Sequence, residues 1–187
     1  MLTGPRPPQS RMTFSVKLHL LPASLLLACT LAHAADQPPV PKPLEEQVSR
    51  LVELYKDSFA TGYPEATHVQ TLKTGQDTEI TLAVFTIEGF DMGNNYSQYL
   101  AVFSSTPNEE GQEHYSLLDA MQIGGGGWRS VEKLDARLIA DPAGKRTLID
   151  VPVMENTDDD SPNFPSRAGV IHLALEGSQA PRLVEQN

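Results

Sequence analysis

The residues most suited to ligand binding lie in a run of four glycines followed by a tryptophan and an arginine. Gly124–Arg129 contains the only tryptophan of the chain. Glycines let a backbone or a ligand approach closely, and successive N–H groups of such a loop can hold an anion. The loop ends in Gly-Trp-Arg rather than the Gly-Lys-Ser/Thr of a phosphate-binding loop. Gly125, Gly126, Trp128 and Arg129 are therefore candidate binding residues, and the alternative is a wide hairpin connection whose tryptophan packs on a sheet.

A second candidate site is the densest acidic segment, Glu155–Asp160. Ca²⁺ binds several carboxylate and carbonyl oxygens on a bendable loop. The segment predicts a calcium site at Glu155, Asp158, Asp159 and Asp160. The spacing is not that of an EF-hand, because the sixth position is not glycine and the twelfth is not glutamate. A solvated loop, or a loop that meets a basic partner, is the alternative.

Catalytic motifs are weak in this sequence. His68, His114 and His172 are dispersed, and the zinc-protease pattern H-E-x-x-H and the hydrolase pattern G-x-S-x-G are absent. Ser130–Lys133 fits S-x-x-K and Lys73–Gly75 fits K-T-G, which are motifs of penicillin-recognising enzymes. Their order along the chain is reversed, and the serine follows glycines and precedes a strand-like stretch. These motifs assign no catalytic residue.

The first 34 residues have the layout of a secretory signal peptide. A basic region ends at Lys17, an apolar run follows over residues 18–28, and Ala32–Ala34 is a small-x-small cleavage signal. The run is shorter than the about 20 residues of a transmembrane helix. We expect cleavage after Ala34 and export to a bacterial periplasm, with Met1 or Met12 as the start.

A lipid anchor is the alternative within the same segment. Leu26–Cys29 resembles a lipobox, in which the cysteine is lipidated and becomes the first residue. Apolar residues continue past Cys29 to the better-formed cleavage signal, which favours simple cleavage. Cys29 is the only cysteine, so the sequence excludes an internal disulfide framework and a multi-thiolate metal site.

The charge of the chain excludes one class of partner. The formal net charge is −10, with 24 acidic and 14 basic residues. Cleavage would remove three basic residues and no acidic one, which would change the net charge to −13. Such a surface argues against nucleic acid, because phosphate binding needs basic side chains.

Residues 35–187 are predicted to form a tether and one domain. Residues 35–43 contain four prolines and read as an extended tether. Residues 44–187 are then a single β-rich domain. Its first element is an amphipathic helix over 44–60, whose apolar residues recur at helical spacing and whose end is marked by Gly62 and Pro64.

The rest of the domain has the two-residue period of strands. Residues 80–87 and 99–103 are apolar on both faces, as in central strands covered on each side. Short turn signals favour antiparallel neighbours. The predicted fold is α+β, mainly β, with the N-terminal helix on a curled antiparallel meander of about six to eight strands. The remaining strand candidates are residues 67–72, 114–123, 134–140, 147–154, 169–175 and 182–185.

These observations predict an exported binding or interaction module without catalysis of its own. One form is an inhibitor or immunity-type protein that neutralises a basic envelope protein. The alternatives are a small envelope hydrolase that uses histidine, with or without a metal, and a calcium-stabilised structural module. No cofactor is expected unless the acidic segment binds calcium.

Overall fold

A computed structural model describes Met1, Gly4 and residues 39–186 of the chain. The chain divides into two units, residues 1–36 and 37–187, and the helix and strands described below belong to the second. The predicted signal peptide, apart from Met1 and Gly4, and the first four residues of the predicted tether lie outside the described residues. Within the described part, no helix is long and apolar enough to cross a membrane.

The helix, α1, spans Lys42–Tyr55. Pro41 is the N-cap residue, and Pro43 lies in the first turn, where no helical hydrogen bond is lost because the N–H groups of that turn have no partner within the helix. The prediction of a helix at the N-terminus over residues 44–60 was wrong, because the helix is internal to the chain and stops five residues earlier. The helix ends because the backbone of Lys56 is extended and Asp57 closes a turn, its Oδ1 accepting the N–H groups of Phe59 and Ala60.

The mainly β, antiparallel prediction is confirmed. Within residues 39–186, ten antiparallel strands form one unclosed sheet, and two short 3₁₀ turns lie at Pro64–Ala66 and Phe90–Met92. The predicted six to eight strands are too few, because two strands of two residues each are too short to show alternation. In chain order the strands are β1 Thr61–Gly62, β2 His68–Lys73, β3 Glu79–Glu88, β4 Tyr96–Pro107, β5 Glu113–Gly125, β6 Arg129–Ser130, β7 Arg137–Ile139, β8 Thr147–Glu155, β9 Arg167–Glu176 and β10 Arg182–Glu185.

The sheet consists of two runs of hairpins joined by a short bridge. Strands β2 to β5 pair in chain order, with β1 also on β3, and strands β8 to β10 pair in chain order, with β7 also on β8. The two-residue strand β6 joins the runs, because it pairs with β5 on one side and β8 on the other. This bridge lies next to the glycine run and therefore places that run in the middle of the sheet.

The sheet is covered on both faces where the sequence predicted central strands. Along β3, Leu82 and Val84 belong to a core enclosed by strands β3 to β10. The intervening Phe85 and Ile87 belong to a second core beneath α1, with the helix residues Leu44, Val48, Leu51 and Val52. Alternate side chains of one strand point to opposite faces, so an all-apolar strand needs two cores.

Two glutamines hold an irregular segment between β6 and β7. Gln98 receives the N–H of Val131 at Oε1 (2.7 Å) and donates Nε2 to its carbonyl (3.2 Å). Gln70 forms the same pair of bonds with Ala136, at 2.7 Å and 2.9 Å. Each side-chain amide therefore replaces a pair of strand hydrogen bonds. These contacts fix residues 131–136 beside β4 and β2.

Candidate functional site

Arg129, predicted as a recognition residue, lies buried at the centre of a side-chain network. Its Nη1 and Nη2 donate to the two carboxylate oxygens of Glu185, each at 2.7 Å, and its Nε donates to the carbonyl of Ile123 at 2.7 Å. Only 6% of the residue is exposed. Its guanidinium lies 4.0 Å from the ring centroid of the partly exposed Trp128. The arginine thus ties β6 to the last strand and leaves the tryptophan ring as the exposed member of the pair.

The glycine run allows close backbone approach rather than offering free N–H groups. The N–H of Gly126 donates to the Tyr96 carbonyl, that of Gly127 to Pro162, and that of Trp128 to Gly125. A Cβ on Gly125 would lie 2.9 Å from the Tyr96 carbonyl oxygen. The three N–H groups are therefore used within the protein. The run lets Tyr96 and the loop around Pro162 pack against it.

The acidic segment is ordered by hydrogen bonds of its own. Asp160 Oδ2 accepts the Thr157 N–H at 2.8 Å and both the N–H and the hydroxyl of Ser166 at 3.0 Å. These bonds hold the pKa of Asp160 below its ordinary value, the backbone N–H of Thr157 contributing most. Glu155 pairs with Arg167 at 2.7 Å. Asp158 and Asp159 are exposed and are the two candidate calcium ligands without such contacts.

The two predicted sites are neighbours in the structure. In the backbone ladder between β6 and β8, Arg129 lies opposite Glu155. The Asn156 N–H donates to the Trp128 carbonyl at 2.8 Å. Just beyond the acidic segment, the Pro162 carbonyl accepts the N–H of Gly127 in the glycine run. The sequence therefore predicts two segments that contact each other in the structure, although it does not show that they meet, and neither segment lines the two hollows described below.

The histidines do not converge. The described residues contain no group of three or more His, Cys, Asp or Glu that could hold a metal ion. His172 on β9 contacts Asp150 on β8 at 2.7 Å, and His114 is exposed at the start of β5. His68, half-buried at the start of β2, has its pKa lowered by burial. The Ser-x-x-Lys match is not on a helix, and Lys73 lies at the opposite end of β2 from His68.

Two hollows of about 520 Å³ and 390 Å³ share lining residues and form a groove on the surface of residues 39–186. We call it the aromatic groove. The two hollows share Glu88, Tyr96, Asn163 and Phe164. The larger hollow is also lined by Phe59, Thr61, Tyr63, Gly89, Gly93, Asn94 and Asn95, and the smaller by His68, Thr86, Gln98, Ser130, Val131, Glu132 and Pro165.

Exposed rings line the groove. Phe164 is 76% exposed, Phe59 55% and Tyr63 47%. Tyr96 is half-buried and lines both hollows. Burial and, more weakly, the negative charge of Glu132 raise the pKa of Tyr96, while the Ser130 hydrogen bond opposes them.

One carboxylate positions two walls of the groove. Asp57 binds the N–H groups of Phe59 and Ala60 with Oδ1 and the N–H of Asp91 with Oδ2 at 2.8 Å. The pKa of Asp57 is lowered, chiefly by the Asp91 bond. Asp91 and Met92 both have positive φ angles, a conformation that non-glycine residues rarely adopt. The Asp57 contact therefore supports a strained loop beside the groove.

Sequence reasoning missed most of the groove. Phe59 falls within the predicted helix over 44–60, whereas it lies beyond the helix end in the structure. Phe164 lies in the turn between Pro162 and Pro165, outside every predicted strand and helix. An aromatic residue inside a turn signal, where no strand or helix can bury it, was the available clue. Nothing in the local sequence of the four segments that line the groove indicates that they meet.

No family model, curated protein or solved structure matches this chain. The function is therefore argued from the groove and the sequence alone.

Proposed function

We propose that this protein is an exported binding module without catalysis of its own and that the aromatic groove is its ligand site. The exposure of Phe59, Tyr63 and Phe164 around one open groove carries the proposal. Export rests on the signal peptide pattern of residues 1–34, which lie almost entirely outside the described residues. The acidic composition supports a basic protein partner.

The physical basis is the cost of leaving rings in water. Fully burying a phenylalanine side chain contributes about 1.5–3 kcal/mol. Exposed rings that converge on a concave surface therefore favour association with a ligand that covers them. Loops held on a rigid sheet are common positions for binding residues. Here the segment 56–63 contains β1, and the loops at residues 89–95 and 162–165 adjoin the ends of β3, β4 and β9.

A small hydrolase is the second candidate, and one observation favours it. His68, Ser130 and Glu132 line the same smaller hollow. Because burial lowers the pKa of His68, its imidazole ring is mostly unprotonated at neutral pH and can accept a proton as a base. Against this, the Ser130 side chain interacts with Tyr96, whose pKa it lowers. A nucleophile needs its base within hydrogen-bond reach.

Site-specific photo-crosslinking tests the binding proposal. p-Benzoylphenylalanine is placed at position 164 in the groove or, as a control, at position 117, where Leu117 is exposed outside the groove. Irradiation of producing cells should yield an adduct from position 164, and Tyr63→Ala should weaken it. Equal adducts from both positions, or none from position 164, would contradict a ligand site in the groove.

Turnover of p-nitrophenyl acetate separates the binding module from the hydrolase. We expect the purified protein to hydrolyse this ester no faster than its His68→Ala and Ser130→Ala variants. A rate that both substitutions abolish, in variants that melt at the wild-type temperature, would favour the hydrolase.

A further inference from the structure

We propose that the aromatic groove takes lysine or arginine side chains from a basic peptide segment of a protein partner. The inference rests on the proposed function and names the chemistry of the ligand. Three features of the groove support it: its charge, its rings and its free amides.

The charged side chains that line the groove are acidic. Glu88 and Glu132 line it, and none of its lining residues is lysine or arginine. Neither carboxylate forms an ion pair with any side chain in residues 39–186, although the carboxylates of Glu155, Asp141 and Glu185 all do. Lys133 follows Glu132 in the chain but lines neither hollow. An incoming cation would meet two carboxylates and no competing positive side chain.

The one histidine in the groove does not offset this charge. Burial lowers the pKa of His68, so its ring is predominantly neutral at neutral pH. The positive charge that would complement Glu88 and Glu132 must therefore come from the ligand.

The rings suit the same ligand. Ammonium and guanidinium groups bind the faces of aromatic rings within about 6 Å, and the aliphatic stems of lysine and arginine cover apolar surface. Phe59, Tyr63 and Phe164 present such rings beside Glu88. The protein already contains one contact of this kind, with Arg129 4.0 Å from the Trp128 ring centroid.

The amides and the open shape favour a peptide over a free amine. The side chains of Asn94 and Asn163 have no hydrogen-bond partner in residues 39–186, so they can bind the N–H and C=O groups of an extended chain. The two hollows share Glu88 and Tyr96 in their lining and are open to solvent. Two cationic side chains of one segment could therefore occupy them together.

The binding test uses a fluorescein-labelled heptapeptide with three lysines separated by glycines. Its binding to the purified protein is followed by fluorescence anisotropy at 150 mM salt, where bulk surface attraction is screened within about 8 Å. Spermidine and the same peptide with all lysines acetylated are the comparison ligands, since acetylation removes the charge.

Paired variants separate the groove from the overall charge. Glu88→Gln with Glu132→Gln removes two charges inside the groove, and Asp158→Asn with Asp159→Asn removes two exposed charges outside it. We expect the groove pair to raise Kd about tenfold or more and the control pair to raise it less than about twofold. Phe164→Ala should also weaken binding, with melting temperatures confirming that each variant folds.

Four results would overturn the proposal: no peptide binding at millimolar concentration, equal effects of the two double variants, equal binding of the acetylated peptide, or equal binding of spermidine. The last result would assign the groove to a free polyamine. If crosslinking from position 164 persists while the basic peptide fails to bind, the ligand class is wrong and the binding function stands.

Discussion

At the scale of single residues, several polar side chains join segments that are distant in the chain. Arg129 donates from all three types of guanidinium nitrogen, and Asp57 accepts three backbone N–H groups from two loops. Asp119 on β5 accepts the N–H of Leu183 on β10 at 2.7 Å. With the Arg129–Glu185 pair, this contact holds β10 against β5 although no strand ladder joins them. The position of β10 against β5 therefore depends on side chains, whereas a backbone ladder joins it to β9.

Glu185→Gln should lower stability because it leaves the Arg129 guanidinium without its anionic partner. Breaking a buried pair costs about 3–5 kcal/mol, and Glu185 is about one third exposed, so we expect about 1–2 kcal/mol. Urea denaturation measures this difference. Glu110→Gln, an exposed turn residue, is the matched control and should shift the free energy of unfolding by less than about 0.5 kcal/mol.

The same substitution has a defined pH dependence. The Arg129 hydrogen bond lowers the pKa of Glu185 from its ordinary value of 4.5. A carboxyl with a lowered folded pKa stabilises the protein above its unfolded pKa and loses that contribution as the pH falls through the folded value. The stability difference between wild type and variant should therefore be constant near neutral pH and shrink below about pH 4.5. A difference that grows on acidification would contradict this assignment.

At the scale of elements, short strands and irregular segments determine the site. The two-residue strand β6 joins the halves of the sheet, and glycines make that junction possible. A Cβ on Gly124 would lie 2.6 Å from the Arg129 carbonyl oxygen. Gln98 then fixes Val131, so that Ser130 and Glu132 line the groove. Alternation could predict the long strands, but it carries no information about a two-residue junction.

Gly124→Ala should force β5 and β6 apart. Because the obstructing atom belongs to the backbone, we expect a loss of about 1–3 kcal/mol, typical of overpacking. Gly111→Asn is the control, since a Cβ there meets nothing within 4 Å and asparagine tolerates the positive φ of 75°. A loss at Gly124 no larger than at Gly111 in urea denaturation would mean that the junction adjusts freely.

At the scale of the whole molecule, the acidic side chains divide into those that order the fold and those that remain exposed. Asp57, Asp141 and Asp160 accept backbone N–H groups, and each has a lowered pKa, with a backbone hydrogen bond as the largest cause. Glu88 and Glu132 have no such role. The net charge of −10 therefore overstates the number of acidic side chains that are available to a partner.

Calcium should not change the melting temperature. Glu155 and Asp160 are engaged by Arg167, Thr157 and Ser166, and the exposed Asp158 and Asp159 alone supply fewer than the six to eight oxygens that Ca²⁺ requires. Thermal melts in EDTA and in millimolar Ca²⁺ check this. A clear rise with Ca²⁺ would show binding to the native state and revive the calcium-stabilised module.

The sequence by itself determined the mainly β, antiparallel class, the two-sided burial of β3 and β4, and the acidic charge. These properties follow from local periodicity, turn residues and composition, which act over a few neighbours. The tertiary structure decided the end of α1 at Tyr55, the burial of Arg129 against Glu185 and the aromatic groove. The last two depend on residues 56 and 105 positions apart in the chain, Arg129 with Glu185 and Phe59 with Phe164, and no local pattern encodes such a meeting.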